Sequence, residues 1–84
     1  MKLYWSKNGW SDYLYWKEND MKIIKRINRI IKEILINPFT GIGNPEPLKH
    51  KLQGYWSRRI SREHRIIYIV KGEKIIISAC KNHY

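Results

Sequence analysis

Eighty-four residues make one domain, and a chain of this size buries only about 60–65% of its unfolded surface, so the core is small and the stability margin thin. Hydrophobic residues form 43% of it, with Trp5, Trp10, Trp16 and Trp56 among them, which excludes an intrinsically disordered chain despite the charge. Seventeen Lys and Arg against seven Asp and Glu give +10, a field that attracts polyanions, so the expected partner is nucleic acid or an acidic protein.

A lone cysteine, Cys80, has no partner for an internal disulfide, and no apolar run approaches the ~20 residues of a membrane span. The opening "MKLYWSKNGW" lacks the apolar stretch of a signal peptide. The expected location is the cytoplasm, away from membranes.

In chain order, "KLYW" at 2–5 reads as a short strand, and Ser6 as the N-cap of a first helix with Trp10, Tyr13, Leu14 and Lys17 on one face. Residues "END" at 18–20 end that helix. Asp20 then caps a second one, in which Ile23, Ile27, Ile30, Ile31 and Ile34 recur at three- and four-residue steps between lysines and arginines. Pro38 forces the residue before it out of helical geometry, so this helix ends near Ile36.

A long loop, "NPFTGIGNPEPLKH", follows at 37–50, where long ordered loops tend to be functional. After it come strand-like runs "KLQ", "YWSRRIS", "HRIIYIV" and "KIIISAC", the last three joined by hairpin turns at "SRE" and "KGE". The expected fold is α+β over residues 1–84: two N-terminal helices packed on one face of a mainly antiparallel twisted sheet, in the order β-α-α-β-β-β-β. Cys80, inside an apolar strand pattern, is expected to be a small buried hydrophobe.

The residues suited to chemistry cluster late in the chain. Pro45 and Pro47 stiffen Glu46, which then has fewer conformations to lose when it engages a substrate. A three-residue "SRE" loop would set Arg59 opposite Arg65. Two like charges there are unfavourable unless an anion such as phosphate sits between them; the alternative is a shifted register that leaves each arginine in water. The chain closes on His83 and Tyr84, as a tail or as ordered groups near the sheet.

Together with Lys49 these are the parts of a metal-free ribonuclease. Glu46 would take the proton of a ribose 2′-hydroxyl, the arginines and Lys49 would hold charge developing on phosphorus, and His83 would protonate the leaving 5′-oxygen. His50, His64 and His83 show no metal-ligand spacing, and no cofactor motif occurs.

The stretches "PEPLKH" at 45–50, "GYWSRRIS" at 54–61, "EHRIIYIV" at 63–70 and the closing "HY" resemble the YoeB branch of the RelE-like toxins, and the opening "MKLYWS" and "SDYLYW" extend the likeness over the whole chain. The resemblance implies the RelE-like fold and a ribosome-dependent endoribonuclease that cleaves messenger RNA in the decoding site. It also implies a homodimer neutralised by a YefM-type antitoxin. Carried over, the catalytic base falls on Glu46, the general acid on His83 and the phosphate-stabilising arginine on Arg65, with Lys49, Arg59 and Tyr84 in supporting positions. The chain departs from the pattern at Asn44 and Asn82, where the family carries a lysine and an aromatic residue. The same fold serves ParE-like toxins that bind DNA gyrase, and the third reading is a non-catalytic RNA-binding module; neither needs Glu46, Arg65 and His83 together.

Overall fold

The structure, a computed structural model, describes residues 1–82. His83 and Tyr84, the expected acid and one of the supporting groups, lie outside the described residues.

Two helix starts are fixed by side-chain caps. Ser6 Oγ accepts the Gly9 N–H at 2.9 Å and opens α1, Lys7–Asn19. Asp20 serves both helices: its N–H donates to the Trp16 carbonyl at the end of α1, and its carboxylate accepts the N–H groups of Lys22 and Ile23 at the start of α2, Met21–Ile36. Each such cap satisfies backbone donors that a helix end leaves without partners. On α2 the buried stripe is Ile24, Ile27, Ile30, Ile31 and Ile34, with Ile23 at its half-buried rim.

The face of α1 that carries Trp10, Tyr13, Leu14 and Lys17 is not the one it turns to the core. Gly9 and Trp16 are buried, whereas Trp10 and Leu14 are 46% and 39% exposed. The cause is the contact between α1 and the last strand, β5 (Lys74–Ala79): a Cβ at Gly9 would collide with the Ile77 carbonyl oxygen. The helix thus lies on β5 by its bare backbone, and Trp16, seven residues on, turns inward. Trp10 and Tyr13 stack outside, with ring centroids 5.6 Å apart, and Trp5 meets Trp10 edge-on.

The sheet has five strands in the spatial order β1-β5-β4-β3-β2. Strand β1, Lys2–Trp5, runs parallel to β5; β2 (Glu46–Pro47), β3 (Tyr55–Arg59) and β4 (Arg65–Lys71) complete an antiparallel succession. The "SRE" turn delivers the expected Arg59–Arg65 pairing, and Gly72, at φ 60°, turns β4 into β5. The strand expected at "KLQ" is instead part of a 3₁₀ turn, His50–Leu52, while the first strand after the helices is Glu46–Pro47, inside the expected loop. Seven residues between β2 and β3 must reverse the chain, which they do with left-handed backbone at His50 and Gly54. Pro47, lacking an N–H, is tolerated because β2 is an edge strand.

Both helices cover one face of this sheet, where Ile66, Tyr68, Ile75 and Ile77 are fully buried. Side chains alternate along a strand and paired residues share a face. Glu46, Ser57, Arg59 and Arg65 therefore belong to the opposite face, the one without helices.

Candidate active site

The loop carrying Glu46 is fastened from beneath by Arg58. This side chain points to the helix face and is fully buried. Its Nη2 donates to the carbonyls of Asn37 and Thr40 at 2.8 and 2.9 Å, its Nη1 to that of Ile42 at 3.3 Å, and its Nε to the Tyr68 hydroxyl at 3.0 Å. Tyr68 passes its own proton to the Pro38 carbonyl at 2.6 Å, and Glu33 Oε1 accepts the Ile42 N–H at 2.9 Å. A buried cation so fully bonded meets the requirement for burying charge at all. Gly41, at φ 127°, passes between these groups, where a Cβ would strike Glu33 Oε1 and come within 2.8 Å of Arg58 Nη1. The Arg59 N–H then donates to the Gly43 carbonyl at 2.6 Å, locking the loop to β3 just before Glu46.

On the open face Glu46 stands opposite Ser57, and Arg59 stands opposite Arg65 two residues along. Strand spacing and rise put the Glu46 and Arg65 Cα atoms roughly 12 Å apart and those of Glu46 and Arg59 roughly 8 Å apart. The Glu46 side chain is exposed, and its Oε1 accepts a hydrogen bond from Asn44 Nδ2 at 2.8 Å. Asn44 reaches it from a left-handed backbone, φ 52°, a conformation that asparagine tolerates better than most residues. Lys49 is exposed and lines, with Glu46, Pro47, Leu48 and His50, a cleft of about 350 Å³.

Arg65 is half-buried, and its Nη1 donates to the carbonyls of Ser61, Arg62 and His64 at 2.8, 3.2 and 3.1 Å. These bonds aim the guanidinium by one nitrogen; among the described residues Nη2 and Nε have no hydrogen-bond partner. Arg59 is exposed. One wall of the open face thus holds a carboxylate and two guanidinium groups in reach of a common substrate, an arrangement suited to proton abstraction beside a stabilised phosphate.

Beyond β5 the chain stays anchored. The Cys80 N–H donates to Asp12 Oδ2 at 3.0 Å, Trp16 Nε1 donates to the Cys80 carbonyl at 2.7 Å, and Lys81 Nζ lies 3.9 Å from the Tyr15 ring centroid. The Asn82 carbonyl accepts the Arg65 N–H at 2.9 Å. Residue 82 is therefore fixed beside the arginine of the site. Cys80 is fully buried as expected, and burial, with Asp12 nearby as the lesser cause, pushes its thiol up to about 12. Burial also raises Tyr68, although the bond from Arg58 works against it.

Of the residues proposed from the sequence, the structure describes Glu46, Lys49, Arg59 and Arg65. Sequence reasoning missed Arg58, Asn44 as a partner of Glu46, and His64, which binds Asn82. Arg58 left a trace: of two neighbouring arginines on a strand, one must face the core side. Among the described residues no three His, Cys, Asp or Glu side chains converge as a metal ion would require, and no helix is long and apolar enough to cross a membrane.

Residues 5–84 match the family described as the YoeB-like toxin of bacterial type II toxin–antitoxin systems. The chain is 56% identical to Toxin YoeB of Escherichia coli O6:H1 over 84 residues, all of both chains. Among solved structures it is similar to a YoeB/ParE toxin from Agrobacterium tumefaciens, with TM-score 0.97 and 43% identity over the whole of both. It is also similar to the YoeB dimer of Staphylococcus aureus and to that organism's heterotetrameric YoeB-YefM toxin–antitoxin complex. These have TM-scores of 0.92 and 0.91, each at 45% identity and covering 100% of this chain and 98% of that one.

Proposed function

The chain belongs to the YoeB-like toxin family of bacterial type II toxin–antitoxin systems, and from that premise we propose that it is an endoribonuclease that cuts messenger RNA in the ribosomal decoding site. The observation that carries the reading is the placing of Glu46, Arg59 and Arg65 together on the helix-free face. Glu46 removes the 2′-hydroxyl proton, and the oxygen attacks the adjacent phosphorus. Arg65, supported by Arg59 and Lys49, holds the negative charge that builds on the phosphoryl oxygens. The bond to the 5′-oxygen breaks, and His83 gives that oxygen its proton, leaving a 2′,3′-cyclic phosphate and a 5′-hydroxyl. No metal is needed for this balance. Tyr84 supports the RNA beside His83.

The protein works in the cytoplasm, as a homodimer, and is silenced by an acidic YefM-type antitoxin whose segment folds over the cationic face. The relatives support this: one solved structure is a YoeB dimer and another a YoeB-YefM complex. A net charge of +10 suits both an acidic inhibitor and an RNA-rich target.

The test is single-turnover cleavage of messenger RNA on programmed ribosomes, with end mapping. Glu46→Gln is expected to slow cleavage about 10²–10⁴-fold with binding retained, whereas Arg65→Ala weakens both. Cleavage by Glu46→Gln at the parental rate, or arrest of gyrase with ribosome-bound messenger intact, overturns the proposal.

A further inference from the structure

His64 takes no part in the chemistry above, yet both halves of the residue are engaged. Its carbonyl accepts the Ile60 N–H at 2.9 Å and Arg65 Nη1 at 3.1 Å, closing the β3–β4 turn. Its side chain serves a different segment: Nδ1 accepts the backbone N–H of Asn82 at 2.7 Å, while the ring stands edge-on to Trp16 with centroids 4.6 Å apart. With the Arg65 N–H on the Asn82 carbonyl, two successive residues at the start of β4 grip both polar backbone groups of Asn82. Asn82 sits at φ 62°, so the chain turns at the point where it is held.

A backbone N–H can only donate. His64 Nδ1 must therefore present its lone pair, which makes the ring neutral with its proton on Nε2. We propose that His64 is a positioning residue, whose neutral imidazole fastens the peptide preceding His83 beside Arg65 and so fixes the point from which the chain continues to the general acid. The inference rests on the reading of His83 as that acid. It makes the anchor sensitive to protonation, because a proton on Nδ1 would face the Asn82 N–H with a second donor. The charged groups around the ring are of both signs. Asp20, Arg62 and Glu63 line the same pocket as the ring, and Arg65 bonds the His64 carbonyl.

Asparagine at position 64 carries an acceptor, Oδ1, close to where Nδ1 lies, and it does not titrate; phenylalanine keeps the ring edge and loses the acceptor. Amide exchange at Asn82 reads the anchor directly, and single-turnover cleavage on programmed ribosomes reads its consequence. In the parental protein and in His64→Asn the Asn82 amide is expected to exchange slowly at neutral pH, and in His64→Phe rapidly. Cleavage by His64→Phe is expected to fall roughly 10–100-fold at saturating ribosomes with KM unchanged, the scale of a displaced catalytic group, and His64→Asn is expected to recover most of it. When the ring takes up a proton the parental protein loses Asn82 protection and His64→Asn keeps it.

Protection of Asn82 that survives in a folded His64→Phe, or that is lost equally in His64→Asn, sinks the proposal. So does an unchanged cleavage rate in His64→Phe while His83→Gln is impaired. Should His64→Phe fail to fold, the comparison of the parental protein with His64→Asn across pH still decides. A parental rate in His83→Gln removes the general acid itself, a failure told apart by Asn82 exchange, which does not depend on cleavage.

Discussion

Arg58 is a residue whose loss would be felt in stability before it is felt anywhere else. Its guanidinium satisfies the carbonyls of Asn37, Thr40 and Ile42 in a place water does not reach. Methionine would fill much of the volume and leave these acceptors and the Tyr68 hydroxyl without their donor. Arg58→Met is expected to cost about 3–5 kcal/mol, because each buried acceptor left unpaired costs about 1–3 kcal/mol, read as a lower urea midpoint with an unchanged slope. A midpoint within error of the parental one would mean that the loop is held by other means. The sequence displayed the doublet of arginines but not which of them faced in, because β4, their partner strand, is apolar at successive positions and does not mark its inner face. Asn44 and Asn82, the two departures from the family pattern, share a property that no pattern of hydrophobicity reveals: both hold left-handed backbone, at φ 52° and 62°. At these points the choice of asparagine answers to backbone shape as well as to what the side chain touches.

Among the elements, α2 was legible to within a residue, since five isoleucines at helical spacing leave one orientation for burial. Helix α1 gave no sign of which face turns inward, because its decisive contact is made by the absence of a side chain. Gly9 lets the helix backbone rest on β5, and nothing in a count of apolar residues marks that glycine as an inward position. Gly9→Ala should be better for the isolated helix by about 1 kcal/mol, yet it is expected to destabilise the protein by about 1–3 kcal/mol, as overpacking does, because the methyl must displace backbone. Denaturation curves of the two proteins give the sign: a gain in stability would show that α1 slides outward at little cost. The short strand β2 escaped notice for a different reason. Two residues, one of them proline, carry no periodic signal, and they become a strand only because β3 offers an edge to which Glu46 can pair. Of the candidate site, the residue types and the Arg59–Arg65 pairing were legible from the turn length. The helix-free face that Glu46 shares with them required the fold.

For the molecule as a whole, alkaline pH is a direct probe of the packed interior. Cys80 is neutral when protonated, and its pKa rises from an ordinary 9.0 to about 12 on folding. The unfolded chain therefore loses this proton first. The thiol's contribution to stability is complete below about pH 9 and declines as the pH climbs toward 12. The stability difference between the parental protein and Cys80→Ala, followed by urea unfolding from neutral to alkaline pH, is expected to shrink with rising pH. Other titrating groups largely cancel in that difference. A constant difference across the range would mean that the thiol ionises as readily in the folded protein as in the unfolded one.

The parallel pairing of β1 with β5 also sets an order of events in folding. Ser6 Oγ binds the Ser78 carbonyl across 72 positions of sequence, and Lys2 through Trp5 find their partners only in residues 74 to 77. Helix α1 rests on the same late strand. Until residues 74 to 77 are in place, the first strand has no neighbour and the first helix no floor, so closure waits on contacts far apart in sequence. Docking of the last strand thus completes the sheet and the floor of α1 in one step.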